Sequence, residues 1–100
     1  MTSLAEFTER LRGAMVGAPP FEKTLKIDLT GDGVIRMEGN TVDNQDLPAD
    51  CTVMVSREDL TAIAEGDLDP SDAFMSGRLR VDGDVGVAIA MQDVMGRAFG

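Results

Sequence analysis

Apolar and polar positions follow two rhythms along this chain. Leu4, Phe7, Leu11, Ala14 and Met15 recur at helical intervals, Ser3-Leu4-Ala5-Glu6 has the spacing of a capping box, and Gly17 with Pro19-Pro20 closes the segment. The spacing predicts an amphipathic first helix. From Thr24 to Thr30 the period drops to two, with Leu25, Ile27 and Leu29 on one face and polar residues on the other, as in a strand with one wet face. Asp32-Gly33 predicts a turn, after which Val34 to Gly39 resumes the alternation, Ile35 and Met37 inward and Arg36 and Glu38 outward, to complete a hairpin.

Asn40 to Pro48 is polar and leaves room only for a short edge strand around Thr41-Val42-Asp43. Cys51 to Ser56 reads as a further strand with Cys51, Val53 and Val55 on one face, and Ser56-Arg57-Glu58-Asp59 opens a short helix carrying Leu60 and Ile63 and stopped by Gly66. Asp69-Pro70 starts a helix of one or two turns through Phe74 and Met75. Arg78 to Asp82 alternates again with Leu79 and Val81 on the buried side, and Asp84 caps a last helix. On that helix, 100° per residue gathers Val87, Ala88, Met91, Val94 and Met95 on one arc with Gln92 at its edge, while Ile89 falls on the other side. This order predicts an α+β domain with helices on one face of a mainly antiparallel sheet.

A chain of 100 residues has apolar material for one core, so residues 1–100 are expected to form a single domain. Apolar residues make up 43% and aromatics only 4%, so that core is built from aliphatics and methionines and is soft. Eighteen acidic against nine basic residues leave a net charge of −9, spread evenly, which argues against nucleic acid and against docking on anionic membranes. The single cysteine, Cys51, excludes an internal disulfide and suits a reducing compartment. No apolar run approaches the ~18 residues of a membrane span. Glu6 and Glu9 stand where a signal peptide is hydrophobic, and Ala98-Phe99-Gly100 is not a peroxisomal address. Together these features lead to an expected cytoplasmic location.

Catalysis has few candidates. There is no histidine or tyrosine, and the one thiol has no imidazole to activate it, so carboxylates and two lysines are the available acid-base groups. The expectation is a protein that is not an enzyme and uses no cofactor. Asp28 to Gly33 matches the first half of a calcium loop, but its twelfth position is Gly39 in place of a bidentate glutamate, and Asp28 already belongs to a strand, so no metal site is expected. Val81-Asp82-Gly83-Asp84-Val85-Gly86 lacks the glycine spacing of a phosphate cradle and carries two aspartates that repel phosphate. Met15, Met37, Met54, Met75, Met91 and Met95 either fill irregular core space or line a site for a flexible aliphatic ligand; composition does not separate the two.

The segment AFMSGRLRVDGDVGVAIAMQ, residues 73–92, resembles the signature of the sterol carrier protein 2 domain family, in which a Pro-x-x-Ala-Phe helix precedes a Gly-Lys-Leu-Lys-Ile-type strand, a Gly-Asp turn and an apolar helix. Ala49-Asp50-Cys51-Thr52-Val53 and Ser56-Arg57-Glu58-Asp59-Leu60 are similar to that family's strand and capped helix, so the resemblance runs from about Thr24 to Gln92. It implies a five-stranded sheet with helices on one side enclosing a hydrophobic tunnel for fatty acids, acyl-CoA, sterols, isoprenoids or phospholipids. The ligand-binding residues it implies are Leu25, Ile27, Ile35, Met37, Val53, Phe74, Met75, Leu79, Val81, Val87, Ala88, Met91, Val94 and Met95, with Gln92 meeting a polar head group.

The chain departs from the family pattern in its first helix, where Glu6 and Glu9 balance Arg10 and Arg12, so the basic membrane-docking helix of eukaryotic members is missing and direct membrane binding is expected to be weak or absent. It also stops soon after Met95, where longer members continue into a segment that helps close the tunnel, which leaves the cavity open or closed by a partner. Family domains are often appended to enzymes. The second expectation is therefore an accessory or oligomerisation module, a homodimer or the companion of a separately encoded enzyme, with no ligand of its own.

Overall fold

The computed structural model describes residues 3–17 and 21–99, apart from the side chains at 21, 88, 92, 93, 96 and 99. Helix α1 (Leu4–Met15) is followed by strands β1 (Phe21–Asp28), β2 (Val34–Gly39), β3 (Thr41–Asp43) and β4 (Cys51–Val55). Then come helices α2 (Arg57–Ala64) and α3 (Pro70–Met75), strand β5 (Leu79–Gly83) and helix α4 (Val85–Phe99). The strands form one sheet in the order β3-β2-β1-β4-β5. Its pairs are antiparallel except β1 with β4, which run parallel. The fold is thus the expected α+β class with a mixed, mainly antiparallel sheet.

Register explains why alternation in the sequence becomes a single apolar face. Leu25 stands opposite Met37 and Cys51, and Ile27 opposite Ile35 and Val53. Val53 in turn faces Val81, and Val55 faces Leu79. A slip of one residue in any pair would turn a whole row outward. Leu25, Ile27, Ile35, Met37, Cys51 and Val53 are fully buried. The other face is polar, with Lys26 opposite Arg36 and Thr52 opposite Asp82.

Because β3 lies on one edge and the parallel pair needs a crossover, residues 44–50 connect the two sides of the sheet without a helix. Asp46 bonds Lys26 Nζ at 2.9 Å and the Pro48 carbonyl accepts from Arg36 at 3.4 Å, so this connection is tied to the polar face. Helix α1 is fixed on the opposite face. Ser3 Oγ caps it by accepting from Glu6 N at 3.2 Å, and Asn40 Nδ2 donates to the Met15 carbonyl at 2.9 Å at its far end. Arg12 donates to the Val42 carbonyl at 2.8 Å, and buried Thr8 is satisfied by the Leu4 carbonyl and by Asn44. Phe7, Leu11 and Met15 thereby close the core on the β2–β3 side, against α4.

The hairpin differs in detail from its sequence reading. The connection runs over residues 29–33, with Leu29 N donating to the Gly33 carbonyl at 2.9 Å and Thr30 held at φ 45°. Asp28 Oδ1 accepts from Thr30 N at 2.9 Å, so the aspartate supports the turn. No group of three or more His, Cys, Asp or Glu able to hold a metal occurs among the described residues. Strand β1 also starts earlier than the alternation suggests, because a register irregularity between Phe21 and Leu25 hides its first residues from a strict period of two. The Pro19-Pro20 stop expected after the first helix lies outside the described residues.

Candidate functional site

At the start of α4 the chain makes a tight junction. A Cβ on Gly83 would stand 2.2 Å from the Asp50 carbonyl oxygen, and Gly83 has φ 109°, so only glycine brings β5 this close to β4 before the helix begins. Asp84 then accepts from Gly86 N at 2.9 Å and pairs with Lys23. The Lys23 hydrogen bond, followed by the Gly86 amide, holds the Asp84 carboxyl below its ordinary value, while Asp84 raises Lys23. Asp50 is lowered by the Thr24 amide at 2.9 Å and then by the Thr24 hydroxyl at 3.1 Å. These exposed groups pin the root of α4 to β1 and β4 and set the direction in which the helix crosses the sheet.

On the side away from α1, the elements do not close on one another. A pocket of ≈ 310 Å³ opens there. Its floor is Val53 of β4 with Leu79 and Val81 of β5, and Ile63 of α2 contributes to one wall. Pro70, Ser71, Phe74 and Met75 of α3 form a second wall, and Val85, Ile89, Met91 and Met95 of α4 a third. Ser71 supplies the one polar side chain of the lining among the described residues. The volume is at the lower end of the ~300–1,000 Å³ typical of small-molecule sites. Phe74 (57% exposed), Met75 (83%), Val85 (60%) and Ile89 (62%) leave large apolar surface at its edge. An apolar rim continuous with an apolar cavity is a feature isolated surface hydrophobics lack.

The residues put forward as ligand-binding divide into three groups in space. Val53, Phe74, Met75, Leu79, Val81, Met91 and Met95 line the pocket. Leu25, Ile27, Ile35, Met37, Val87 and Val94 do not; they are buried in the core cluster with Phe7 and Leu11. The physical reason is how that half of the sheet is covered: α4 packs on β1, and α1 packs on α4, β2 and β3. The side chains of Ala88 and Gln92 lie outside the described residues. Ile89, read from the sequence as facing away from a cavity, stands on its wall, because the pocket lies against the flank of α4 and not beneath its inner arc.

Ile63, Pro70, Ser71, Val85 and Ile89 were not singled out as lining residues. One signal existed. Val85 and Ile89 are four residues apart and both apolar, outside the buried arc of a helix whose described apolar residues number more than one face needs. Among the described lining residues the Ser71 hydroxyl is the one group with nucleophilic character, and none of them is a base that could activate it. No helix among the described residues is long and apolar enough to cross a membrane.

A mixed five-stranded sheet covered by helices, with an apolar pocket on its open side, defines the class of this domain. The chain belongs to the SCP-2 sterol transfer family, whose family model matches residues 7–96. Over 57 residues it is 35% identical to "Sterol carrier protein 2" of Oryctolagus cuniculus, covering 57% of this chain and 10% of that protein. Over 92% of its length it is 31% identical to "Hydroxysteroid dehydrogenase-like protein 2" of Danio rerio, of which the match covers 25%. The matches thus span a tenth to a quarter of these relatives' lengths. Among solved structures, Sterol Carrier Protein-2 from Aedes aegypti in complex with the C16 fatty acid palmitate superposes with a TM-score of 0.77 at 19% identity, over 92% of this chain and 93% of that one.

Proposed function

We propose that residues 1–100 act as one domain that binds a long-chain lipid reversibly in the pocket between α3, α4 and the β4–β5 half of the sheet, carrying it through the cytoplasm without chemical change. The observation that carries this reading is the apolar pocket with its exposed apolar rim in a chain of the sterol transfer family. Soft methionines at 75, 91 and 95 suit a ligand without fixed shape. Each buried methylene contributes ~0.8 kcal/mol, so sixteen give roughly 13 kcal/mol before association costs of about 4 to 15 kcal/mol, and affinities in the micromolar range are expected. Titration calorimetry with C12 to C18 fatty acids, alcohols, acyl-CoAs and prenols tests it. Absence of binding across the whole series refutes it.

A second reading has one observation in its favour. The Danio rerio relative is named for a dehydrogenase and is four times as long as the matched region, consistent with domains of this kind accompanying enzymes. The chain would then serve as an accessory or oligomerisation module. Native mass spectrometry separates the two: co-purified lipid supports carriage, and a dry dimer supports the module.

A further inference from the structure

The two edges of the sheet are finished differently. At β3 the Val42 carbonyl accepts from Arg12 at 2.8 and 3.3 Å, so a side chain of α1 occupies that edge. At β5 no such cover is present among the described residues. The Asp84 amide donates to the Asp50 carbonyl at 3.2 Å, and in an antiparallel ladder this fixes the alternation: residues 80, 82 and 84 turn their backbone groups to β4, while Leu79 and Val81 turn theirs outward. The Val81 amide and carbonyl are thus open to a further strand.

The side chains of this edge form their own complement. Arg80 and Asp82 flank Val81 on the polar face, both are exposed, and their cross-strand neighbours in β4 are the uncharged Met54 and Thr52. Among the described residues neither has an ion-pair partner within the chain. In an antiparallel pairing of two copies centred on Val81, Arg80 of each copy stands opposite Asp82 of the other, and Arg78 opposite Asp84. Val81 is an outward-bonding position, so in the same register the two Val81 residues exchange both backbone hydrogen bonds. A shift of two residues in either direction instead sets Arg80 against Arg80 or Asp82 against Asp82.

We infer that β5 is a homodimerisation edge: two copies of this chain pair through it about a two-fold axis at Val81, joining their sheets into one with both pockets on the same face. The inference does not depend on what the pocket holds. A net charge of −9 opposes encounter at long range, so it is local complementarity that selects this contact. The seam is one short strand, and a weak dimer with a dissociation constant of ~0.1–1 mM is expected.

Sedimentation velocity from ~10 μM to ~1 mM, at physiological salt to screen the net charge, provides the test. The unmodified chain should pass from monomer to dimer. Arg80→Asp and Asp82→Arg each set like charges against one another across the axis and should weaken self-association about tenfold or more. An equimolar mixture of the two variants restores opposite charges at both positions and should associate as the unmodified chain does. Circular dichroism checks that the variants fold. A monomer at every concentration, single variants that associate undiminished, or a mixture of folded variants that stays monomeric overturns the inference. If a variant does not fold, hydrogen exchange on the unmodified chain decides: exchange at the Val81 amide should slow as concentration rises, and a rate independent of concentration refutes the seam.

Discussion

Replacing Met91 with tryptophan distinguishes a hollow from a solid roof. Met91 is buried and lines the pocket, whereas Ile35, equally apolar, is fully buried in the closed half of the core. An indole exceeds a thioether chain by a small part of the ≈ 310 Å³ available, so at position 91 the excess has somewhere to go. A substitution absorbed in this way costs under about 1.5 kcal/mol, while overpacking a filled site costs about 1 to 3 kcal/mol or more. At roughly 4–8 °C per kcal/mol for a domain of this size, Ile35→Trp should melt well below Met91→Trp. The effects on ligand run the other way. Excluding two or three methylenes at ~0.8 kcal/mol each removes about 2 kcal/mol, or about thirtyfold in Kd, from Met91→Trp. The chain has no tryptophan of its own, so the new indole reports its surroundings by fluorescence without background. Thermal melts, emission spectra and Nile red displacement on the two variants form the assay. If Met91→Trp is destabilised as much as Ile35→Trp and binds lipid as the parent does, the cavity argument is wrong.

Gly83→Ala should be markedly less stable than Gly31→Ala, since both have φ above 100° but only the first places a methyl group against backbone; differential scanning calorimetry giving equal melting temperatures would count against the tight junction. The pinning of α4 should show in the pH dependence of stability. Asp50 and Asp84 have lowered values, so their contribution is complete above the ordinary 3.8 and is lost as pH falls below it through the folded values. Lys23 is raised, so its contribution is complete below 10.5 and is lost as pH rises through its folded value. All three groups are solvent-facing, so the change is modest, and Asp84→Asn should flatten both limbs of a melting-temperature profile. Vesicle flotation should find weak binding that does not increase with phosphatidylserine, because the net charge is −9 and α1 carries glutamates beside its arginines; strong recruitment at physiological salt would contradict this.

Most of the fold was legible because its determinants are local. The alternation of Leu25, Ile27, Ile35 and Met37 needs no partner to be read, and caps at Ser3, Ser56 and Asp69 are formed by residues two or three positions away. The parallel pairing of β1 with β4 was not legible, since it depends on where the chain returns after residues 44–50. The candidate site was legible in part for the same reason. Apolar residues on the inner faces could be identified, but whether each meets ligand or another side chain depends on which half of the sheet α1 occupies. Leu25 and Val53 face each other's neighbours across one sheet and read alike in sequence, yet the first is fully buried in the core on the strand that α4 covers and the pocket opens over the second.

That division of the sheet also bears on how a stable protein can keep a hole in it. On one side, Thr8, Arg12 and Met15 of α1 are held by hydrogen bonds with Asn44, the Val42 carbonyl and Asn40, and Phe7 and Leu11 are fully buried beneath. On the other, the glycine junction at 83 and the Lys23–Asp84 pair fix only the root of α4, and the lining side chains include three methionines that can change rotamer at little cost. Rigidity is therefore concentrated where no ligand is expected, and deformability where one is. An unoccupied apolar cavity forfeits dispersion contacts along its walls, so a chain filling it contributes to stability by mass action in proportion to its free concentration over Kd. The exposed Phe74, Met75, Val85 and Ile89 extend the same apolar surface to solvent, giving an entering chain a continuous path, while like charge on neighbouring molecules opposes contact between two such rims.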